Sequence, residues 1–433
     1  SGSTYPVKGL SSYGPLGGLF DIVITKLNTT GSALIGSIRI GGTDDDGVNI
    51  RPNYIKPQVS ESTRRNYGDD ARSEVIVDGA GNIILASATQ SQDFKTSAGA
   101  FQTIPGKKTP TRFPDGVLIK LTPNLDAVLF SSFLGGDNDD AAFVLALNPL
   151  TGFIYVAGAT ASTDFPGTKA GVLFGSNQGG VDGYVTFISP DGSRQISSSY
   201  FGTSGNDIIY GIQFDKFGFP YIMGTTTVAW PIINSPFNSS GNQVTGRQFI
   251  SKLQPDLTQF MYSANFGTGT GSVPNISPTA FLVDRCENVY VSGWGGTLTL
   301  DYPSASTRGL ATFGAGQLSS TTDGEDLYFF VLEKNAKNIL YATFFGSISG
   351  TSGGPLGDHV DGGTSRFDKN GTIYQSVCSC LGSNPAPGAA LRGSAGVWSP
   401  NNLSADASSA RCNLLAIKLA FNLAGVGTGL KAS

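Results

Sequence analysis

Apolar residues in this chain gather in short runs separated by turns of Gly, Asp, Asn and Pro, and the runs recur in sets of four. Residues 71–136 carry SEVIVD, NIILASAT, GVLIKLT and VLFSSFLGG; residues 140–202 carry AFVLALN, FIYVAGAT, GYVTFIS and ISSSYFG. The same order returns in 207–267 (IIYGIQFD, FPYIMGTT, RQFISKLQ, FMYSANFG) and in 278–346 (TAFLVD, NVYVSGW, LYFFVLE, ILYATFFG). Runs of this length bounded by turn residues predict β-strands, four to a repeat of about 65 residues. Between the first and second runs stand Asp78, Asn148, Asp215, Asp284 and Asp368, each followed by Gly or Asn. An Asx side chain caps such a turn and Gly or Asn supplies its positive φ, so these are predicted hairpins. Short turns (TPNLD, SPDGS, QPDLT, KNAKN) join the third and fourth runs, whereas long Gly-, Pro- and Ser-rich stretches join the second to the third.

Four-stranded antiparallel units in tandem predict an all-β fold, a β-propeller with one blade per repeat. Residues 71–136, 140–202, 207–267 and 278–346 are full blades of a single domain spanning 1–433. Residues 1–42 supply half a blade (FDIVITKL, ALIGSIRIGG), and 358–430 a last blade whose fourth strand, LAGVGTGL, is weak. The count is about six blades, with five and seven also compatible, and one blade is incomplete at the chain ends, as expected of an excerpt from a longer polypeptide or of two ends that complete one blade between them.

The chain's 59 glycines and its low charged content of 14% fit an all-β protein rich in tight turns. Its net charge of -4 lacks the basic footprint that nucleic-acid binding needs. No run reaches the roughly 18–20 apolar residues of a transmembrane segment.

The phrases LGGDNDDAAFVLALNPLTGFIYVAGATASTDFP (134–166) and FGTSGNDIIYGIQFDKFGFPYIMGTT (201–226) resemble a bacterial β-propeller repeat that reads roughly GG-x-x-D-D … D-x-x-G-N-x-Y-V-x-G-x-T-x-S-x-D-F-P. ISPTAFLVDRCENVYVSGWGG, STTDGEDLYFFVLEKNAKNILYATFFG, DHVDGGTSRFDKNGTIYQSVCS and RCNLLAIKLAFN are similar to the branch of that family carried by very large cell-surface proteins of Bacteroidota. The resemblance implies a secreted, extracellular module accompanied by polycystic-kidney-disease-type domains, exported by type IX secretion and linked to gliding motility or adhesion. It implies no catalytic residues. Residues 48–70 and 347–357 are insertions relative to the pattern.

Several residues are candidates for chemistry. Asp44, Asp45 and Asp46, with Asp137, Asp139 and Asp140, lie at blade-to-blade crossovers. Closely spaced carboxylates suit Ca²⁺, the one cofactor suggested, and suit better the capping of turn N–H groups. Cys286, Cys378, Cys380 and Cys412 lack CxxC spacing and read as disulfide candidates. Cys412 is expected to bridge to Cys378 or Cys380, and Cys286 to whichever remains. The lone His359 reads as structural. Trp230, Trp294 and Trp398 are candidates for stacking on sugar rings or for plugging blade interfaces.

The expected function is therefore a non-enzymatic β-propeller module for adhesion or assembly at the cell surface. Its expected partners are neighbouring domains of the same large protein, secretion or surface-assembly proteins, or glycan. Two alternatives stand beside it: a carbohydrate-binding module of an extracellular degradative system, and a hydrolase or lyase on a propeller scaffold.

Overall fold

The second apolar run of each repeat shows why the chain folds as it does. In the strand Ile83–Thr89 every residue is buried. Ile83 and Leu85 pack with Ile22, Ile24, Ile38 and Ile40, whereas Ile84 and Ala86 pack with Ala142, Leu145, Ile154 and Val156. A strand covered on both faces loses the polar–apolar alternation of a half-exposed one, which is why the run reads as continuously apolar. The repeated phrase is a second strand held between two neighbouring sheets.

The computed structural model describes all residues except 1–4, 50–62, 107–113, 240, 242, 270, 272, 296–304, 315–323, 347–357, 361–364, 381–411 and 422–433. The fold is all-β, a β-propeller, and the described residues form two compact units. The first comprises Ser1–Arg64, Asp69–Pro220 and Leu253–Gln259. Its opening sheet holds β1 (Ser12–Tyr13), β2 (Ile22–Leu27) and β3 (Leu34–Ile40). β2 and β3 are the antiparallel pair expected of a half blade, and β1 adds parallel to the outer side of β3. Nothing in SSYGPLGG marked those two residues as a strand. Next come the antiparallel sheets β4 (Glu74–Val77), β5 (Ile83–Thr89), β6 (Asp115–Leu121), β7 (Val128–Leu134) and β8 (Asp140–Leu147), β9 (Ile154–Thr160), β10 (Asp182–Ile188), β11 (Gln195–Phe201). The next repeat contributes β12 (Asp207–Phe214) to this unit.

The second unit comprises Arg65–Gly68, Tyr221–Lys252 and Phe260–Ser433. It takes nearly all of β13 (Pro220–Thr226), β14 (Gln248–Leu253) and β15 (Phe260–Phe266), with one helical turn, α1 (Pro236–Ser239), in the connection. A four-stranded sheet follows: β16 (Ser277–Val283), β17 (Val289–Trp294), β18 (Leu327–Leu332), β19 (Ile339–Phe345). The last sheet has β20 (Arg366–Phe367), β21 (Ile373–Cys380) and β22 (Cys412–Leu419), and LAGVGTGL lies outside the described residues. Phe421 anchors this end, with its ring 5.5 Å from those of Phe329 and Tyr341.

The capped hairpins are present as predicted. Asp78 Oδ1 accepts the amides of Ala80 and Asn82 at 2.9 and 2.8 Å, and Asp215 Oδ1 those of Phe217 and Phe219 at 2.9 and 3.0 Å. Asp284 and Asp368 repeat the arrangement, and Asn148 does the same with an amide oxygen. The repeated Gly of the second strand has a different cause. The register of β8 on β9 shifts between Ala142 and Val144, and the carbonyl of Ala141 stands 2.0 Å from where a Cβ on Gly158 would lie. Gly158 is the room that bulge needs.

The described end of the 48–70 insertion is anchored. Arg72 is buried, its Nε donating to Asp69 Oδ1 at 3.2 Å while its guanidinium lies 4.5 Å from the centre of the Tyr210 ring. The Tyr210 hydroxyl donates to Asp69 Oδ2 at 2.9 Å. Asn49 bonds the backbone carbonyls of Asp69 and Asp70, so the two ends of the insertion meet at a fixed base.

Replacing Asp215 by Ala strips two part-buried turn amides of their acceptor and is expected to cost about 1 kcal/mol in urea unfolding. Asp215→Asn should recover most of that, since Asn148 holds the equivalent turn with an amide; equal losses in the two variants would contradict the capping role.

Candidate functional site

Crossovers between blades end on Asp46, Asp140 and Asp207, and in one repeat on Asn275, and the local sequence explains how such a side chain is held. Gly-Gly at 41–42 and 135–136 leaves backbone amides exposed in a tight turn, and such amides need an acceptor once buried. Asp46 Oδ2 accepts Gly42 N at 2.7 Å and Ser91 Oγ at 3.0 Å, while Thr89 Oγ1 donates to Oδ1. Asp140 repeats this set one blade later, with Gly136 N at 2.7 Å, Ser162 Oγ at 2.7 Å and Thr160 Oγ1 on Oδ1.

The second-strand ends that supply these hydroxyls also clasp the rest of the turn. Ser91 Oγ accepts Asp44 N at 2.9 Å and Asp93 Oδ1 accepts Thr43 N at 2.9 Å. Ser162 and Asp164 do the same to Asn138 N and Asp137 N, both at 2.8 Å. Phe94 and Phe165, the next residues, are buried. The segment T-x-S-x-D-F is thus a clamp on the G-G-x-x-x-D turn.

The six candidate calcium ligands separate under this description. Asp46 and Asp140 cap their turns, and Asp45 Oδ1 accepts the amides of Leu19 and Phe20 at 2.6 and 3.2 Å. Asp44 and Asp139 are the turn residues between. Asp137 stands against Asp164; its burial and then that neighbouring carboxylate raise its pKa. No group of three or more His, Cys, Asp or Glu is placed to hold a metal among the described residues. Turn capping is the observed role of Asp45, Asp46 and Asp140.

A second acid, missed in the sequence, stands at the third-strand start of several blades, and at Gly41 and Gly135 it faces the first across the glycine. The position of a Cβ on Gly41 would lie 2.6 Å from Asp21 Oδ1 and 2.7 Å from Asp46 Oδ2. For Gly135 the distances are 1.8 Å to Asp115 Oδ1 and 2.9 Å to Asp140 Oδ2. Asp182 presses on Gly202 in the same way, 2.0 Å from its Cβ position, and takes Gln178 N on Oδ2 at 2.6 Å while its buried Oδ1 has no hydrogen-bond partner among the described residues. Burial lifts the carboxyl of Asp182 to a pKa of about 7, with the nearby Asp207 adding to the rise. Asp46 is also lifted to about 7 by burial, against the hydrogen bonds of Thr89, Gly42 and Ser91, with Asp21 again adding. The signal was available as the aligned Asp21, Asp115, Asp182 and Asp326 at third-strand starts.

The tryptophans are placed differently from a sugar platform. Trp230 is 3% exposed, stacks on Phe249 with centroids 3.7 Å apart, and directs Nε1 at Ser251 and Ser263 hydroxyls at 3.3 and 3.0 Å. Trp294 is 4% exposed, with its ring 5.7 Å from that of His359. Stacking needs an open face, so the sugar-binding expectation for Trp230 and Trp294 is corrected: both are core plugs. Trp398 lies outside the described residues. His359 exchanges backbone hydrogen bonds with Cys378 at 3.1 and 2.8 Å.

Cys286 is a thiol. Cys286 sits exposed in the turn before β17, whereas Cys378 adjoins His359, whose ring neighbours Trp294 at the far end of β17. At about 3.3 Å per strand residue the two ends are roughly 20 Å apart, against less than about 7 Å between the Cα atoms of a disulfide. The expected pairing of Cys286 is corrected on that ground.

No family model matches the chain, and no curated protein matches it in sequence. Solved structures are similar to it only in fold. A thermostable family-43 glycoside hydrolase aligns over 70% of this chain and 82% of its own at 11% identity, with a TM-score of 0.32. The exo-β-1,3-galactanase 1,3Gal43A from Clostridium thermocellum aligns over 83% and 62% at 8% identity, TM-score 0.32. The Dos1 propeller aligns over 74% and 70% at 10% identity, TM-score 0.29. Similarity of this size transfers no chemistry.

Two outcomes follow. Gly135→Ala drives a methyl into two buried carboxylates and should cost about 3 kcal/mol or more, while Gly79→Ala, whose Cβ meets nothing within 4 Å, should be near neutral. Because the native state holds protons on Asp46 and Asp182 up to about pH 7 while the unfolded chain releases them near 3.8, stability should fall as pH rises from 4 to 7. Asp182→Asn should flatten that slope in urea melts at pH 4.5 and 7.5; an unchanged slope would show that Asp182 does not titrate there.

Proposed function

We propose that the chain is a non-enzymatic β-propeller module of a secreted cell-surface protein of the Bacteroidota gliding and adhesion type, exported by type IX secretion. Its long loops bind protein partners, among them neighbouring domains of its own polypeptide. The supporting observation is the use to which its reactive side chains are put. Asp46, Asp140, Thr89, Thr160, Ser91 and Ser162 are all engaged in holding crossover turns, and Trp230 is engaged in the core. These groups make a rigid frame, and a rigid frame with long connections is the usual arrangement of a binding scaffold. The fixed base of the 48–70 insertion, where Asn49 meets Asp69 and Asp70, fits the same use.

The reading is tested on the producing bacterium. Proteinase K added to intact cells should cleave the chain, and disabling the type IX export machinery should keep it inside; a chain attacked only after lysis would sink the proposal. On a glycan array, with and without calcium, the purified module should bind nothing specifically. A reproducible glycan hit would replace this reading with the carbohydrate-binding alternative.

A further inference from the structure

In the last sheet Cys380 of β21 stands directly opposite Cys412 of β22. The hydrogen-bond parity of β21 shows what kind of pair this is. Cys378 both donates to and accepts from His359 on the other side of β21, so its backbone groups point away from β22. Two residues on, those of Cys380 point the same way. Cys380 and Cys412 are therefore a non-hydrogen-bonded antiparallel pair, the closer of the two kinds, with Cα atoms about 4.5 Å apart. That lies within the roughly 4.4–6.8 Å range a disulfide spans. Cys378 pairs with Leu414 and is one diagonal step from Cys412, about 7–8 Å, outside that range.

We propose that Cys380 and Cys412 form an intrachain disulfide that closes the segment 381–411, in preference to any bridge from Cys286 or Cys378. The bond forms when both thiols lose their protons and the sulfur pair gives up two electrons. The acceptor is molecular oxygen, reduced to hydrogen peroxide, or a small-molecule disulfide, reduced to two thiols. Cross-linking removes the loop entropy of that long connection from the unfolded chain, and the bridge joins the last residue of β21 to the first of β22. The inference is independent of the proposed function, since it rests on register alone.

Peptide mapping decides it. The full chain, incubated with oxidised glutathione, is alkylated in denaturant without reductant and digested with trypsin. The peptide Asn370–Arg392, which holds Cys378 and Cys380, should be joined to Cys412–Lys418. The link should survive in Cys378→Ser and vanish in Cys380→Ser, with Cys286 alkylated throughout. A link that survives in Cys380→Ser, any link to Cys286, or four alkylated cysteines in the wild-type chain would each overturn the assignment.

Discussion

The fold depends on one kind of buried hydrogen-bonded group, the side-chain oxygen that ends a crossover turn, a carboxylate in Asp46, Asp140 and Asp207 and an amide in Asn275. A chain that turns from one sheet into the next must bury the amides of a tight glycine turn, and each would cost about 1–3 kcal/mol without an acceptor. Asp46 and Asp140 supply that acceptor, and they in turn need donors because a buried carboxylate with open lone pairs is itself costly. The donors come from the end of the neighbouring second strand, Thr89 with Ser91 and Thr160 with Ser162. Sheet and turn are thereby fastened by the same atoms, and the apolar second strand is held in register between two cores.

The third-strand acid complicates this arrangement, and one repeat shows how the chain resolves it. Two carboxylates against one glycine repel each other unless one of them keeps a proton. Where other repeats have acids, the second unit has Gln248 and Asn275, both near the Cβ position of Gly267, at 2.2 and 2.8 Å. Gln248 Nε2 donates to the carbonyl of Phe266 at 2.8 Å, and Asn275 Oδ1 accepts Thr268 N at 2.9 Å. An amide carries the hydrogen that a carboxylate lacks, so it resembles the protonated acid in shape and bonding. The neutral pair parallels the protonated form that burial, with Asp207 adding, favours in Asp182.

Strand order, hairpin caps and the doubly buried second strand were legible in the sequence, because each follows from local residue choice: Asp78 and Asp215 cap turns two to four residues away. The two-residue β1 was not legible, since an edge strand of Ser12 and Tyr13 has no periodicity to detect. The burial of Trp230 was not legible either. A tryptophan in a Pro-rich connection has the same local sequence whether it faces solvent or Phe249, and only the long-range fold decides. The roles of the acids were half legible: clustering pointed to the crossovers, but which oxygen meets which amide is set by Ser and Thr tens of residues away.

Departures within the repeats identify what each crossover must preserve. In one second-strand end Val228 stands where Ser91 and Ser162 stand elsewhere, so that repeat lacks the serine hydroxyl. Its crossover turn differs too: Thr203 replaces the second glycine of Gly41-Gly42 and Gly135-Gly136, as Thr268 does in the next turn. Thr203 gives Asp207 Oδ2 both its amide and its hydroxyl at 2.7 Å, and Thr268 gives Asn275 Oδ1 both of its own at 2.9 and 3.3 Å. A hydroxyl lost from the neighbouring strand is thus regained from the turn itself. What the repeats keep constant is the number of donors delivered to one buried oxygen, and residue identity varies around that number. A ligand-binding role for these positions would fix identity and geometry instead, so the compensation between Gly with Ser and Thr without Ser marks the motif as architecture.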